Sequence, residues 1–253
     1  KGIDIQIEKG ETHVLMGPNG AGKSSLGNTL MGNPVYKVSG GTILFNGQDI
    51  TQESTDKRAK AGMFMSFQQP LEVPGISLES FIRSAIQQKT GEHVKLFQFQ
   101  KELQKQMELL NMNPDYAKRD LNVGFSGGER KKSEILQLLM LKPDFAILDE
   151  TDSGLDVDAL QIVADVINKL KANGMGFLAI SHYARLYDLI NPTRAVVMIN
   201  GRIVVDGSSD IINKIDKSGY EWIKTELGIE IAKEEKEMNT VSIGSCAVKE
   251  AIK

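Results

Sequence analysis

The sequence predicts an α/β fold, a mainly parallel sheet covered by helices with a helical lobe inserted into it. Three observations carry that prediction. Short apolar runs alternate with helix-length stretches along most of the 253 residues, as they do when helices cover a parallel sheet. From about Ser77 to Lys142 the alternation gives way to a helical pattern alone. The run Gly17-Pro18-Asn19-Gly20-Ala21-Gly22-Lys23-Ser24 follows an apolar stretch and opens a helix, which is the strand–loop–helix context of a phosphate-binding loop.

In chain order, His13-Val14-Leu15-Met16 is the strand before that loop and Ser24–Met31 the helix after it. Gly41–Phe45, Gly62–Phe67, Phe145–Leu148, Gly176–Ile180 and Ala195–Ile199 read as strands, short and apolar with Gly or Pro nearby. In the inserted stretch Phe99, Leu103, Met107 and Leu110 line one helix face, and Asn113-Pro114 stops that helix. Asn200-Gly201, between Val197-Met198-Ile199 and Ile203-Val204-Val205, signals a type I′ hairpin. Ser209–Lys217 reads as an amphipathic helix. The expected organisation is a core of residues 1–76 and 143–227, a helical subdomain at 77–142 and a tail at 228–253. That tail carries the solvated run Lys233-Glu234-Glu235-Lys236-Glu237.

Composition bounds the function. With 41% hydrophobic and 25% charged residues the chain is ordinary for a globular protein. A net charge of −3 offers no field for nucleic acid or an anionic membrane. Apolar stretches such as Phe145–Leu148 are too short to cross a bilayer, and no leading segment reads as a signal peptide. The single cysteine, Cys246, excludes an internal disulfide framework and a multi-cysteine metal site. A soluble, cytoplasmic protein is expected, with no nucleic acid partner and no direct membrane insertion.

The loop's glycines let successive N–H groups turn inward, and the following helix adds its positive end. Lys23 would reach the β- and γ-phosphates of a nucleotide, and Ser24 would place its hydroxyl on Mg²⁺. Asp149-Glu150 ends an apolar strand. By itself that is a strand meeting solvent. Beside a phosphate loop, Asp149 becomes the Mg²⁺ partner and Glu150 the base that polarises an attacking water. Gln68 is either a polar strand terminator or a γ-phosphate sensor at the border of the helical lobe. His182, following a strand at its C-terminal side, is either structural or part of the site. Ser126-Gly127-Gly128 is a plain loop before a helix, or a second anion site that serves a neighbouring molecule. Arg130-Lys131-Lys132 opposes its helix dipole. The cluster is solvated charge, or one lysine pairs with an acid such as Glu150. Asn213-Lys214-Ile215-Asp216 matches a guanine-reading N-K-x-D pattern, but its place in an amphipathic helix marks it as coincidence.

Taken in order, residues 17–24, Gln68, Phe125-Ser126-Gly127-Gly128-Glu129, Asp149-Glu150, Ser153-Gly154-Leu155-Asp156 and His182 resemble the motifs of the ABC-type ATPases. The likeness spans nearly all of residues 1–227. A finer one is to the ATPases of SUF iron–sulfur cluster assembly. Residues 67–75 resemble their Q-loop and 122–132 their signature, with Glu129 where transporters commonly carry glutamine. Residues 148–156 and Ser181-His182-Tyr183 are similarly close.

The resemblance implies a P-loop fold and ATP hydrolysis with Mg²⁺ in a head-to-tail dimer. Gly17, Pro18, Asn19, Gly20, Ala21, Gly22, Lys23, Ser24, Ser25 and Gln68 would bind the nucleotide. Ser24, Gln68 and Asp149 would carry Mg²⁺. Glu150 would be the base, with Lys23 and His182 assisting at the γ-phosphate. Ser126, Gly127, Gly128 and Glu129 would act on the partner's nucleotide, beside Ser153 and Asp156 of the D-loop. SufB- or SufD-like scaffold proteins would receive the work, and the ATPase would hold no cluster. The rival reading is the ATP-binding subunit of a membrane transporter; a DNA-repair or ribosome-associated ABC protein comes third. Set against the family's pattern, the sequence is expected to start inside the domain at Lys1-Gly2-Ile3-Asp4, without the family's first strand and adenine-stacking region, which would leave a sheet edge exposed. Cys246 is expected to be a free thiol in a loose tail.

Overall fold

The computed structural model describes residues 2–181 and 184–229. Its centre is the strand before the glycine-rich loop. β1 (Thr12–Met16) is buried along its whole length, as a parallel strand covered on both faces must be. It passes through the loop into α1 (Lys23–Leu30). β2 (Leu44–Phe45) and β3 (Gln48–Asp49) form a separate antiparallel ribbon, and α2 (Thr55–Ala61) leads to β4 (Met63–Ser66).

The helical stretch follows. β5 (Val73–Ser77) enters it, then α3 (Leu78–Thr90), α4 (Leu96–Leu109), a 3-10 turn at Pro114–Lys118, β6 (Asp120–Leu121) and α5 (Gly127–Leu141). Phe99, Leu103, Met107 and Leu110 are all buried, as their spacing predicts. The core then resumes with β7 (Phe145–Asp149), α6 (Val157–Ala172), β8 (Gly176–Ile180), α7 (Ala184–Ile190) and β9 (Arg194–Ile199). β10 (Arg202–Gly207), α8 (Asp210–Ser218) and α9 (Glu221–Leu227) complete it.

Among the described residues the main sheet has the order β10-β9-β1-β8-β7-β4. All neighbours pair in parallel except β10 on β9. Alternate residues feed the two faces. Val14, Ala146, Ala179 and Val197 pack with the helical stretch and α6, while Leu15, Ile147, Leu178 and Val196 pack with α1 and the ribbon side. Because the strands are parallel, β1, β4 and β7 end on one side of the sheet, where open α/β sheets bind ligands. No described helix is long and apolar enough to cross a membrane.

Several boundaries differ from expectation. The strand predicted over Gly41–Phe45 shrinks to Leu44–Phe45, since Gly41 takes a left-handed φ of 84° and Ile43 N–H bonds the Thr51 hydroxyl instead of a strand. α4 stops at Leu109, before Asn113-Pro114; Asn113 caps the 3-10 turn, accepting from Asp115 N–H. Val73–Ser77, whose first three residues fall in the loop read over 67–75, pairs with β6. The I′ hairpin is present, with φ of 51° at Asn200 and 77° at Gly201. Asn213–Asp216 lies on α8, where Lys214 pairs with Glu226 at 2.7 Å, so the N-K-x-D match is no guanine site. Ile3, Ile5 and Ile7 pack against the core from a segment that joins no strand. His182 and the tail with Cys246 lie outside the described residues.

Candidate nucleotide site

The loop from Gly17 to Ser24 stands at the end of β1 and curls onto the end of β9. Gly17 has φ 152°, and a Cβ there would sit 2.1 Å from the Met198 carbonyl oxygen. Only glycine fits that approach. Gly17 N–H donates to the Tyr220 hydroxyl at 2.9 Å, which fastens the loop's start to the turn between α8 and α9. Lys23 is buried, and its ammonium donates to the carbonyls of Gly17 at 2.8 Å and Pro18 at 3.1 Å. An ammonium has three donors, so one is left over for a phosphate oxygen. Burial lowers the Lys23 pKa, against the pull of Glu150 and Asp149. Those two acids therefore lie close enough to be felt by the loop lysine.

β7 carries Asp149 to the same place, buried, with its N–H donating to the Ser66 hydroxyl at 3.2 Å. Burial raises its carboxyl, opposed first by the Ser24 side chain beside it. Asp149 Oδ1 is a buried oxygen with no hydrogen-bond partner. A hard cation takes oxygen ligands, commonly one carboxylate together with phosphate and water. Asp149 and the Ser24 hydroxyl thus fit Mg²⁺, which would neutralise charge on the nucleotide's phosphates.

Glu150 leaves the strand in the left-handed region, φ 50°, with its N–H on the Ile180 carbonyl at 2.8 Å. A non-glycine residue held there is strained, and such residues gather at active sites. Gln68 Nε2 donates to Glu150 Oε2 at 2.7 Å. The structure thus brings Lys23, Ser24, Asp149, Glu150 and Gln68 into one cluster.

The basic cluster corrects two expectations. Lys131 is neither solvated nor paired with Glu150. It is 3% exposed and pairs with Glu134 at 3.2 Å, one helical turn away. Arg130 bonds Glu72 and the Phe125 carbonyl, and Lys132 the Asn111 carbonyl. Each cation near the helix start thus has an acceptor of its own. Glu134 drew no attention in the sequence, although i, i+3 spacing from Lys131 was the available signal.

Ser126 caps α5 in a capping box with Glu129: Ser126 N–H donates to Glu129 Oε2 at 2.7 Å, and Glu129 N–H to the Ser126 hydroxyl at 3.3 Å. The Tyr116 hydroxyl also donates to Glu129, holding that carboxyl below its usual range with help from Ser126 N–H. Glu129 therefore spends its oxygens within the chain. Tyr116 also stacks edge-on against buried Phe125. Gly128 abuts the D-loop, where a Cβ would meet the Gly154 carbonyl at 3.2 Å. Asp156 caps α6 by accepting from Ala159 N–H at 2.7 Å, and Ser153 N–H donates to the Glu150 carbonyl. No described hydrogen bond joins residues 126–129 to the loop of the same chain.

A carboxylate-backed phosphate loop on a parallel sheet defines a P-loop nucleotide-binding protein. A family model described as "ABC transporter" matches residues 1–153. "Vegetative protein 296" of Bacillus subtilis is 46% identical over 232 residues, 91% of this chain and 89% of its own. "Probable ATP-dependent transporter SufC" of Escherichia coli is 42% identical over 227 residues, 88% of this chain and 92% of its own. The backbone matches the dimeric structure of a bacterial ABC transporter cassette with a TM-score of 0.73 at 18% identity, covering 82% and 89% of the two chains. The chain belongs to the ABC transporter family, as an ATP-binding cassette with the α/β P-loop fold, and ATP with Mg²⁺ fits this fold and loop.

Proposed function

We propose that this chain hydrolyses ATP in a head-to-tail dimer and delivers the work to SufB- or SufD-like scaffold proteins that assemble iron–sulfur clusters. The carrying observation for hydrolysis is the Glu150 carboxylate, borne on a backbone held at φ 50° and bonded by Gln68 beside the buried, unpaired Asp149 oxygen. Lys23 and the loop N–H groups would hold the phosphates, with Asp149, Ser24 and Gln68 around Mg²⁺. Glu150 would take a proton from water, and His182 would meet the γ-phosphate. Among the described residues, 126–129 make no hydrogen bond to their own loop, in keeping with a role for Ser126, Gly127 and Gly128 at a partner's nucleotide. The cassette of similar fold is described as dimeric, in keeping with this.

The scaffold reading rests on residues 67–75 and 122–132 and on the 42% identity with SufC. The competing reading, a subunit serving a membrane permease, draws on the word transporter in that relative's name. Co-expression with a SufB/SufD-type scaffold pair and, separately, with a permease tests the choice. Co-elution with the scaffold and a several-fold rise in ATPase are expected. Stimulation by the permease alone would overturn the scaffold reading.

A further inference from the structure

The buried pair Lys131–Glu134 has no part in the roles above, yet it holds the backbone of one residue, Phe67, on both sides. Lys131 Nζ donates to the Phe67 carbonyl at 2.6 Å, and Phe67 N–H donates to Glu134 Oε1 at 2.7 Å. β4 ends at Ser66, whose register partner is Leu148. Phe67 is the first residue past the ladder, so α5 supplies through side chains the bonds a neighbouring strand would have given. Phe67 is 53% exposed and contributes little anchoring of its own. The next residue, Gln68, reaches Glu150.

Folding alone does not call for this pair. A buried ion pair pays desolvation on both charges, and apolar residues of similar volume commonly serve stability as well or better. Burial raises the Glu134 carboxyl in spite of Lys131 beside it, the sign of a charge that costs stability.

We propose that Lys131 and Glu134 are positioning residues, which grip both hydrogen-bonding groups of Phe67 and thereby set Gln68 against Glu150. Ser126 stands five residues before Lys131 on the same helix start. The tie therefore links the helix that would meet a partner's nucleotide to the residue that holds the base. The inference rests on the ATPase reading above.

The test is the double variant Lys131→Met/Glu134→Leu, which leaves no buried charge, with wild type measured alongside. Thermal stability should be equal or higher and KM for ATP within about twofold, while kcat falls about tenfold or more, since a small misplacement at a reacting centre costs up to about 10²-fold. In a Gln68→Ala background the same change should lower kcat less than about twofold, because contributions that act through one residue are not additive. Should the double variant not fold, Lys131→Met/Glu134→Gln keeps an acceptor for Phe67 N–H and removes only the carbonyl tie; it should lose at least threefold in kcat. A folded variant with kcat within twofold of wild type, or an undiminished loss in the Gln68→Ala background, would overturn the positioning role while wild-type turnover left the ATPase reading standing. No turnover in wild type would take both down.

Discussion

Gln68 Nε2 donates to Glu150 Oε2 at 2.7 Å, joining the end of β4 to the end of β7. A carboxylate oxygen that accepts from a fixed amide is held in one orientation. The contact therefore orients the base and makes its orientation depend on where the chain beyond Phe67 lies.

If Glu150 is that base, Glu150→Gln keeps the size and the contact to Gln68 but cannot accept a proton from water. Its kcat should fall by about 10²–10⁴, the usual contribution of a general base, while ATP affinity is retained. With ATP it should elute as a dimer on size exclusion. Near-normal turnover would remove Glu150 from this role.

Lys23 and Ser126 should fail in a way that reveals the shared site. Lys23→Ala loses the ammonium that the loop carbonyls aim, so ATP binding or turnover should be lost without dimer trapping. Ser126→Ala, whose lost cap costs about 1 kcal/mol of helix stability, should also be inactive. Mixed together they form one intact composite site per heterodimer, and part of the activity should return. Strict absence of rescue, with both variants folded, would mean each chain works alone.

Much of the site was legible because its chemistry is local. The loop, the acids after Leu148 and the glutamine after Phe67 each declare themselves within a few residues, and parallel strands then bring their ends together. The lobe helix was legible in its apolar spacing, since Phe99 to Leu110 need only one period. The hold of Lys131 on the Phe67 carbonyl was not legible because it depends on where β4 runs out, 64 residues away. Tyr220 on the Gly17 amide and Tyr116 on Glu129 were missed for the same reason. The edges of the ribbon were misjudged because Thr51, a side chain, took the bond expected of a strand.

Gly17→Ala probes the approach of the loop to β9. With a Cβ 2.1 Å from the Met198 carbonyl, the loop must back away, and the Tyr220 bond with it. A strained backbone of this sort costs about 1–3 kcal/mol. A lower thermal midpoint and at least a tenfold weaker ATP affinity in a fluorescent-nucleotide titration are expected. Wild-type affinity in the variant would show that the close approach is dispensable.

Asp152 offers a test by pH. It is buried, accepts from the Ser181 hydroxyl at 2.7 Å and leaves Oδ1 without a partner. Burial raises its carboxyl above the ordinary aspartate value, the Ser181 bond opposing and Glu150 adding to it. Wherever the folded group is charged, the folded state carries the cost of burying that charge. As pH falls through the raised folded pKa, the folded protein takes up this proton first and gains stability. Below about 3.9 the unfolded chain is protonated too and the cost is gone. Asp152→Asn has no such proton, and any penalty from its buried amide is the same at every pH. The thermal midpoint of wild type should therefore climb relative to Asp152→Asn as pH drops through this window, and stay at a constant offset above it. A difference that is flat down to the ordinary aspartate range would show that Asp152 is not paying for its burial, and that the short Ser181 bond compensates the charge in full.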